Sequence, residues 1–224
     1  VAGIVIDVCF LDVRAPNEVI ERLTDFLVDD EKTRANRYHF GDDRRRSIVA
    51  RAATRRLIGR ALDVDPRSLA IVEQQHGKPA LLHREMEFNA SHSGDLVVLA
   101  LARETPVGVD VERRREIDDA LALARRYFAA EELAIVGNAE DATDAFLSIW
   151  TAKEAILKAS GKGIGAGDLR GFAVPFRDPE LRPVIDGWSV AAVAPPLDGY
   201  YAAVAAGAGD SVIHIRTASL TSLL

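Results

Sequence analysis

The sequence predicts an α+β fold in two related halves, residues 1–104 and 105–224. Two observations carry this reading. Each half runs through the same order: a strand, short helices, one long helix, then strands. Local echoes accompany that order. Tyr38-His39-Phe40 precedes Asp42-Asp43 and the first long helix, and Tyr127-Phe128 precedes Glu131-Glu132 and the second. The composition is that of an ordinary globular chain, 48% hydrophobic and 28% charged over 224 residues.

Taken in order, Ile4–Val13 is apolar and β-branched and predicts a strand. Pro16 opens a helical stretch to Val28, with Val19, Ile20, Leu23, Phe26 and Leu27 at helical spacing. Residues 29–39 predict a short polar helix. Asp42-Asp43 begin a long one to about Leu62, since acids suit a helix N-terminus. Its apolar stripe is Val49, Ala53, Leu57 and Ala61, and its other side carries Arg44, Arg45, Arg51 and Arg55. Strands are expected near 69–74, 85–89 and 95–103, the last apolar on both faces and so central. The second half opens with a strand at 106–112. Helices follow at about 117–127, 130–137 and 142–160, then a glycine loop from Gly161 to Gly167. Strands are expected near 171–176, 188–194, 200–206 and 211–217.

The net charge of -6 argues against a general nucleic-acid binder. The single cysteine, Cys9, excludes a disulfide within the chain and suits a reducing, cytoplasmic compartment. One Cys and scattered His also argue against a structural zinc site. No apolar run approaches the ~20 residues that span a bilayer, and the N-terminus lacks a signal-peptide pattern.

Four stretches can carry chemistry, and each also has a plain structural reading. In GVDVE, Asp110 and Glu112 project from one face of a strand. They are either a solvated edge or a carboxylate pair whose repulsion a hard cation relieves. In IWTAKEAILKASGKGI, Trp150, Glu154 and Lys158 share a helix face, with Lys153 beside them. They are either a surface Glu–Lys pair worth ~0.3–0.5 kcal/mol or a third carboxylate with an anion clamp. GKGIGAG matches no nucleotide fingerprint, because Ala166 stands where the third glycine belongs and the run follows a helix; it reads as a helix exit. In GKPALLHREMEFNASHSG, Lys78-Pro79 is a stiff cationic loop, and Ser91-His92-Ser93 is either a capped turn or a set of phosphate donors. A Ser–His hydrolase lacks its elbow motif here. The arginine-rich run from Lys32 to Arg60 is either a solvated face or a local anion site.

In combination and order, GKP, FNASHSG, GVDVE, WTAKEAILK and GKGI resemble the 4′-phosphopantetheinyl transferases of the Sfp type. The resemblance runs from about Glu31 to about Gly165, and both halves of the paired signature G-[VI]-D-[VI]-E and W-[ST]-x-K-E-[AS]-x-x-K are intact. It implies a pseudo-twofold monomer, each half a small sheet packed on a long helix, with coenzyme A in the cleft between halves. It implies Mg²⁺-dependent transfer of the 4′-phosphopantetheine arm to a serine of an apo acyl or peptidyl carrier protein, releasing adenosine 3′,5′-bisphosphate. Mn²⁺ is the alternative ion, since both metals prefer oxygen. The acidic charge and the lack of a long apolar run add the expectation of no nucleic-acid or membrane partner.

Position by position, the resemblance makes Asp110, Glu112 and Glu154 the metal ligands, and Glu154 also the suggested base. Lys158 matches the lysine beside the pyrophosphate. Ser91 and His92 match contacts to the coenzyme A phosphates, Lys78 lies near the adenine end, and Lys32, Arg46 and Ser47 match further nucleotide-phosphate contacts. Ala35 departs from the pattern, standing where a second basic residue is expected; Arg34 and Arg37 are its neighbouring cations. The competing expectation is a non-catalytic coenzyme A- or carrier-protein-binding module of the same fold, which need not keep Asp110, Glu112, Glu154 and Lys158.

Overall fold

A computed structural model describes residues 4–74, 77–103, 105–161, 169–174, 184–209 and 211–224. The first half contains β1 (Ile4–Asp12), α1 (Asn17–Leu23), α2 (Asp29–Ala35), α3 (Gly41–Leu62), β2 (Ile71–Glu73), β3 (Pro79–Leu81), β4 (Glu87–Ser93) and β5 (Leu96–Ala102). The second contains β6 (Val107–Arg113), α4 (Ala120–Tyr127), α5 (Ala130–Asn138), α6 (Ala142–Ser160), β7 (Val184–Ile185), β8 (Trp188–Ala192), β9 (Tyr200–Gly207) and β10 (Ser211–Ala218).

The repeat is visible in the strand order. One sheet runs β10-β1-β5-β4 and the other β6-β9-β8-β7, so β1-β5-β4 answers β6-β9-β8. All of those pairings are antiparallel. Strand alternation then sorts each strand into two faces. Ile6, Val8 and Phe10 of β1 and Leu96, Val98 and Ala100 of β5 meet Val107, Val109 and Val111 of β6 and Val204 of β9 in a core between the sheets. On its outer face the first sheet presents Cys9, Leu11, Val97 and Leu99 to Ile48, Val49, Ala52 and Leu57 of α3. The second presents Ala203 and Ala205 to Ala152, Ala155 and Ile156 of α6. The layers are therefore helix, sheet, sheet, helix. The mixed α+β fold with a long helix on each sheet is the expected one.

Several expectations are corrected in detail. A division at residue 104 assigns β10 to the second half, yet β10 pairs in parallel with β1 along the edge of the first sheet. Ser91-His92-Ser93 lie inside β4, not in a turn before a strand. The GKP loop leads directly into β3, whose Pro79 sits in a two-stranded pair with β2. Such a pair tolerates a residue without an N–H. Ala61 is exposed although it follows the α3 stripe, and Arg55 is buried although its spacing puts it on the polar side. Leu169–Gly171 is a turn of 3-10 helix, and no strand begins among the described residues up to Val174. The remainder of the 171–176 expectation, and residues 162–167 of the glycine loop, lie outside the described residues.

Candidate active site

The site forms where β4, β6 and α6 converge. β4 and β6 are the adjoining edges of the two sheets, and side chains of β4 bridge them. Asn89 Oδ1 accepts from Val109 N at 2.9 Å, and Ser93 Oγ accepts from Arg113 N at 3.0 Å. Residues 89, 91 and 93 share one face of β4, so the same alternation aims Ser91 at β6. Gly108 lets α6 approach β6 closely. A Cβ there would lie 2.1 Å from Ala155 O and 2.3 Å from Ala159 N, both backbone atoms of α6. The glycine of GVDVE thus brings the two following carboxylates against the helix that carries Glu154 and Lys158.

Lys158 Nζ lies 2.5 Å from Asp110 Oδ1 and donates to Ser91 Oγ at 3.0 Å, while Ser91 Oγ donates to Asp110 Oδ1 at 2.8 Å. Ser93 Oγ donates to Glu112 Oε2 at 3.0 Å. Asp110 and Glu154 are 4% and 3% exposed. Asp110 Oδ2 and Glu154 Oε1 are buried without a hydrogen-bond partner among the described residues, an arrangement that costs free energy unless a further group satisfies it. Burial pushes the Glu154 carboxyl up to about 7; Lys158 opposes the shift, and Asp110 and Glu112 add to it. Burial, and then Asp110, raises Glu112 as well, against its hydrogen bond from Ser93. Three acids and one ammonium therefore share a desolvated pocket with acid in excess. Their oxygen-only donor set suits a hard divalent cation such as Mg²⁺ or Mn²⁺. Among the described residues no three Asp, Glu, His or Cys side chains already stand grouped around a common ion position; Lys158 lies against Asp110 instead.

The other expected residues fall outside this cluster. His92, on the opposite face of β4 from Ser91, lines a cleft of about 220 Å³ with Ser47, Arg51, Thr54 and Tyr38. It is exposed to that cleft yet desolvated by its walls, which together with Arg46 and Lys158 lowers its pKa. Ser91 and His92 point apart, so they form no Ser–His nucleophile pair. Arg46 donates to Gly94 O at 2.9 Å and pairs with Asp43 at 2.6 Å. The Lys78 ammonium donates to Val107 O at 3.2 Å and Ala159 O at 3.0 Å, tying the GKP loop to β6 and the end of α6; burial lowers its pKa. Lys32 lines a separate cleft with Asn36 and Arg44. Ala35 is buried, and Arg34 is paired with Glu73. Trp150, partly buried, packs against Phe146 and edge-on to Tyr127 at the margin of the helix's apolar core.

Two family models divide the chain between them. One describes the 4′-phosphopantetheinyl transferase superfamily and matches residues 106–191. The other, the 4′-phosphopantetheinyl transferase N-terminal model, matches residues 15–104. The chain is 34% identical over 196 residues to the 4′-phosphopantetheinyl transferase HetI of Nostoc sp., covering 85% of this chain and 82% of that one. The chain belongs to the 4′-phosphopantetheinyl transferases. The transferase Sfp of Bacillus subtilis is 28% identical over 158 residues, 69% of each chain. A Synechocystis relative is 38% identical over 146 residues, and the match spans 63% of this chain but 59% of that relative. Membership of this family makes the chain an enzyme of the transferase class. No described helix is long and apolar enough to cross a membrane.

Two features around this cluster are not among the expectations from the sequence. One is Asn89, which joins the sheets; its position two residues before Ser91 on a strand was the available signal. The other is the role of Lys153, which points away from the pocket altogether.

Proposed function

We propose that the chain transfers the 4′-phosphopantetheine arm of coenzyme A to a serine hydroxyl of an apo acyl or peptidyl carrier protein and releases adenosine 3′,5′-bisphosphate. The observation that carries this reading is a pair of buried carboxylate oxygens, Asp110 Oδ2 and Glu154 Oε1, unpartnered among the described residues and set beside the Lys158 ammonium. Asp110, Glu112 and Glu154 would hold Mg²⁺, or Mn²⁺ in its place. When bound, the ion supplies charge neutralisation at the pyrophosphate.

The residues of the chain then divide the work. The carrier serine oxygen bonds to the phosphorus bearing the pantetheine arm, and the bond from that phosphorus to the bridging oxygen breaks. The serine proton passes to Glu154, directly or through water. In the ion-free site burial pushes the Glu154 carboxyl up to about 7; a bound cation lowers it again, so its use as a base rests on its place beside the nucleophile. Lys158 lies where it can balance the charge that grows on the leaving bisphosphate. His92, Ser47 and Arg46 are proposed to meet the nucleotide phosphates on the α3 side of β4, with Lys32 as an outer contact. Lys78 is proposed to border the adenine end while its ammonium holds α6. The proposed setting is the cytoplasm, in keeping with the free thiol of Cys9, and the proposed working state is a monomer.

The carrier is proposed to meet α4, where Arg125 and Arg126 are exposed beside Leu123. Arg125→Glu with Arg126→Glu should raise the KM for the carrier; an unchanged KM removes α4 from the docking surface. The transferase reading itself is tested by incubating the protein with coenzyme A, Mg²⁺ and apo carrier proteins and weighing the carrier. A gain of one phosphopantetheine arm, lost with EDTA and with Glu154→Gln, is expected. No gain with fatty-acid, polyketide and peptide carriers alike would overturn it. A binding module of the same fold would retain coenzyme A without changing the carrier's mass.

A further inference from the structure

Lys153 and Glu154 are consecutive on α6, about 100° apart around the helix axis. Glu154 enters the pocket and Lys153 leaves it. The Lys153 side chain is fully buried, and its ammonium lies 2.8 Å from Glu132 Oε2 on α5. It also donates to Leu169 O at 2.6 Å and Phe172 O at 2.5 Å. An ammonium has three N–H groups with which to serve such acceptors. The faces of Phe172 and Phe128 stand 4.3 and 5.7 Å from Nζ. Glu132 is equally engaged: Oε2 accepts from Ala129 N and Oε1 from Val174 N, both at 2.8 Å. The network fastens α5, α6 and residues 169–174 together through buried polar contacts.

We infer that Lys153 is a positioning residue for the transfer reaction: by fastening α6 to Glu132 and to residues 169–174, it fixes the rotation of the helix that delivers Glu154 and Lys158 to β6. The inference rests on the transferase reading. An ammonium committed to a buried carboxylate and two carbonyls takes no part in binding phosphate. A small rotation at Lys153, however, moves its neighbour Glu154 away from Asp110. Gly108 makes the placement sensitive, because α6 and β6 are already in backbone contact there.

The test compares wild type, Lys153→Met and the milder Glu132→Gln. Glu132→Gln keeps an acceptor for Lys153 and covers the case in which Lys153→Met fails to fold. Steady-state transfer to a carrier is measured alongside amide hydrogen exchange. In folded variants kcat should fall, by about 10²-fold for Lys153→Met if Glu154 is displaced by about 1 Å, while the KM for coenzyme A stays within about twofold of wild type. Exchange should quicken at Val174 and along residues 154–158. A raised KM with unchanged kcat would make Lys153 a ligand contact and overturn the inference. Lower thermal stability with unchanged kcat and unchanged exchange at 154–158 would make it a merely structural pair, with the same result. If wild type itself transfers nothing, the function reading fails, and the exchange pattern alone still decides whether Lys153 holds the Glu154 turn.

Discussion

Each long helix lies on the outer face of its own sheet, but the seams beneath the two differ in kind. Beneath α3 the seam is apolar: fully buried Cys9 and Leu11 of β1 and Val97 and Leu99 of β5 share one core with Val49, Ala52 and Ala53. Between α6 and β6 the equivalent positions are Gly108, Asp110 and Glu112, facing Ala155, Glu154 and Lys158. One copy of the frame devotes its seam to cohesion, and the other places three acids and an ammonium there. The second arrangement is tolerable because the rest of the frame repeats. The sheets still share one core, and each half keeps a buried ion pair on its long helix. In the first half Arg55 pairs with Glu31 at 2.7 Å and donates to Pro66 O and Leu69 O. In the second Lys153 pairs with Glu132 and donates to Leu169 O and Phe172 O. Both acids also accept from a backbone N–H three residues earlier, at Val28 and Ala129. The clamp is common to both halves; the acidic seam belongs to one.

The largest effect should come from removing the acid that distinguishes the seams. Glu154→Gln should lower kcat by about 10²–10³-fold, read by the mass-shift assay. It should also change the pH dependence of stability. The folded carboxyl titrates near 7, above its unfolded value, so the native state binds the extra proton between those values. Stability is then fully present below the unfolded pKa and is lost as pH rises to about 7, by on the order of 3 kcal/mol. In urea melts of metal-free protein, the wild-type loss from pH 4.5 to 7.5 should exceed that of Glu154→Gln. Equal losses would mean that Glu154 ionises at no cost.

Gly108→Ala attacks the same seam sterically. The clash is with helix backbone, which cannot swing aside as a side chain can, so β6 and α6 must part. A loss of about 3 kcal/mol or more is expected, with transfer lost too. A stable, active variant would show that the close approach is dispensable.

Next in size, the two clamps can be set against each other. Arg55→Met leaves Glu31 buried beside vacated carbonyls and should cost about 3–5 kcal/mol, with kcat unchanged in the folded protein. Lys153→Met should cost a comparable amount and lower kcat as well. If Arg55→Met lowers kcat equally, the division between a supporting half and a catalytic half fails.

Much of this was legible in the sequence because its signals are local. Helical periodicity marked α3 and α6 closely, the unbroken apolar run of β5 marked a central strand, and spacing along GVDVE and WTAKEAILK placed Asp110, Glu154 and Lys158 on the correct faces. What escaped depends on contacts distant along the chain. Arg55 reads as a surface residue until Glu31 and two carbonyls surround it. Lys153 reads as a neighbour of the pocket until Glu132, residue 169 and residue 172 fold over it. The pairing of β10 with β1 joins the two ends of the chain, and no spacing rule announces that. Ser91-His92-Ser93 looked like a turn because its residues are polar; on β4 the polar face meets the other sheet's edge.

The smallest effect concerns how the first short helix of each half begins. Asp119 caps α4 by accepting from Ala122 N at 2.8 Å, whereas α1 begins at Pro16 with no side-chain cap. Asp119→Ala should therefore cost about 1 kcal/mol, seen as a lower urea midpoint with an unchanged slope. The reciprocal change is more informative. Pro16→Asp adds a cap worth about 1 kcal/mol but releases the unfolded chain from a proline, a loss of about 0.4–1 kcal/mol. The two nearly cancel, so stability should stay within about 0.5 kcal/mol of wild type. A clear gain would mean that the uncapped start of α1 is a defect of the first half; a clear loss would mean that Pro16 rigidity is how that half compensates for having no cap.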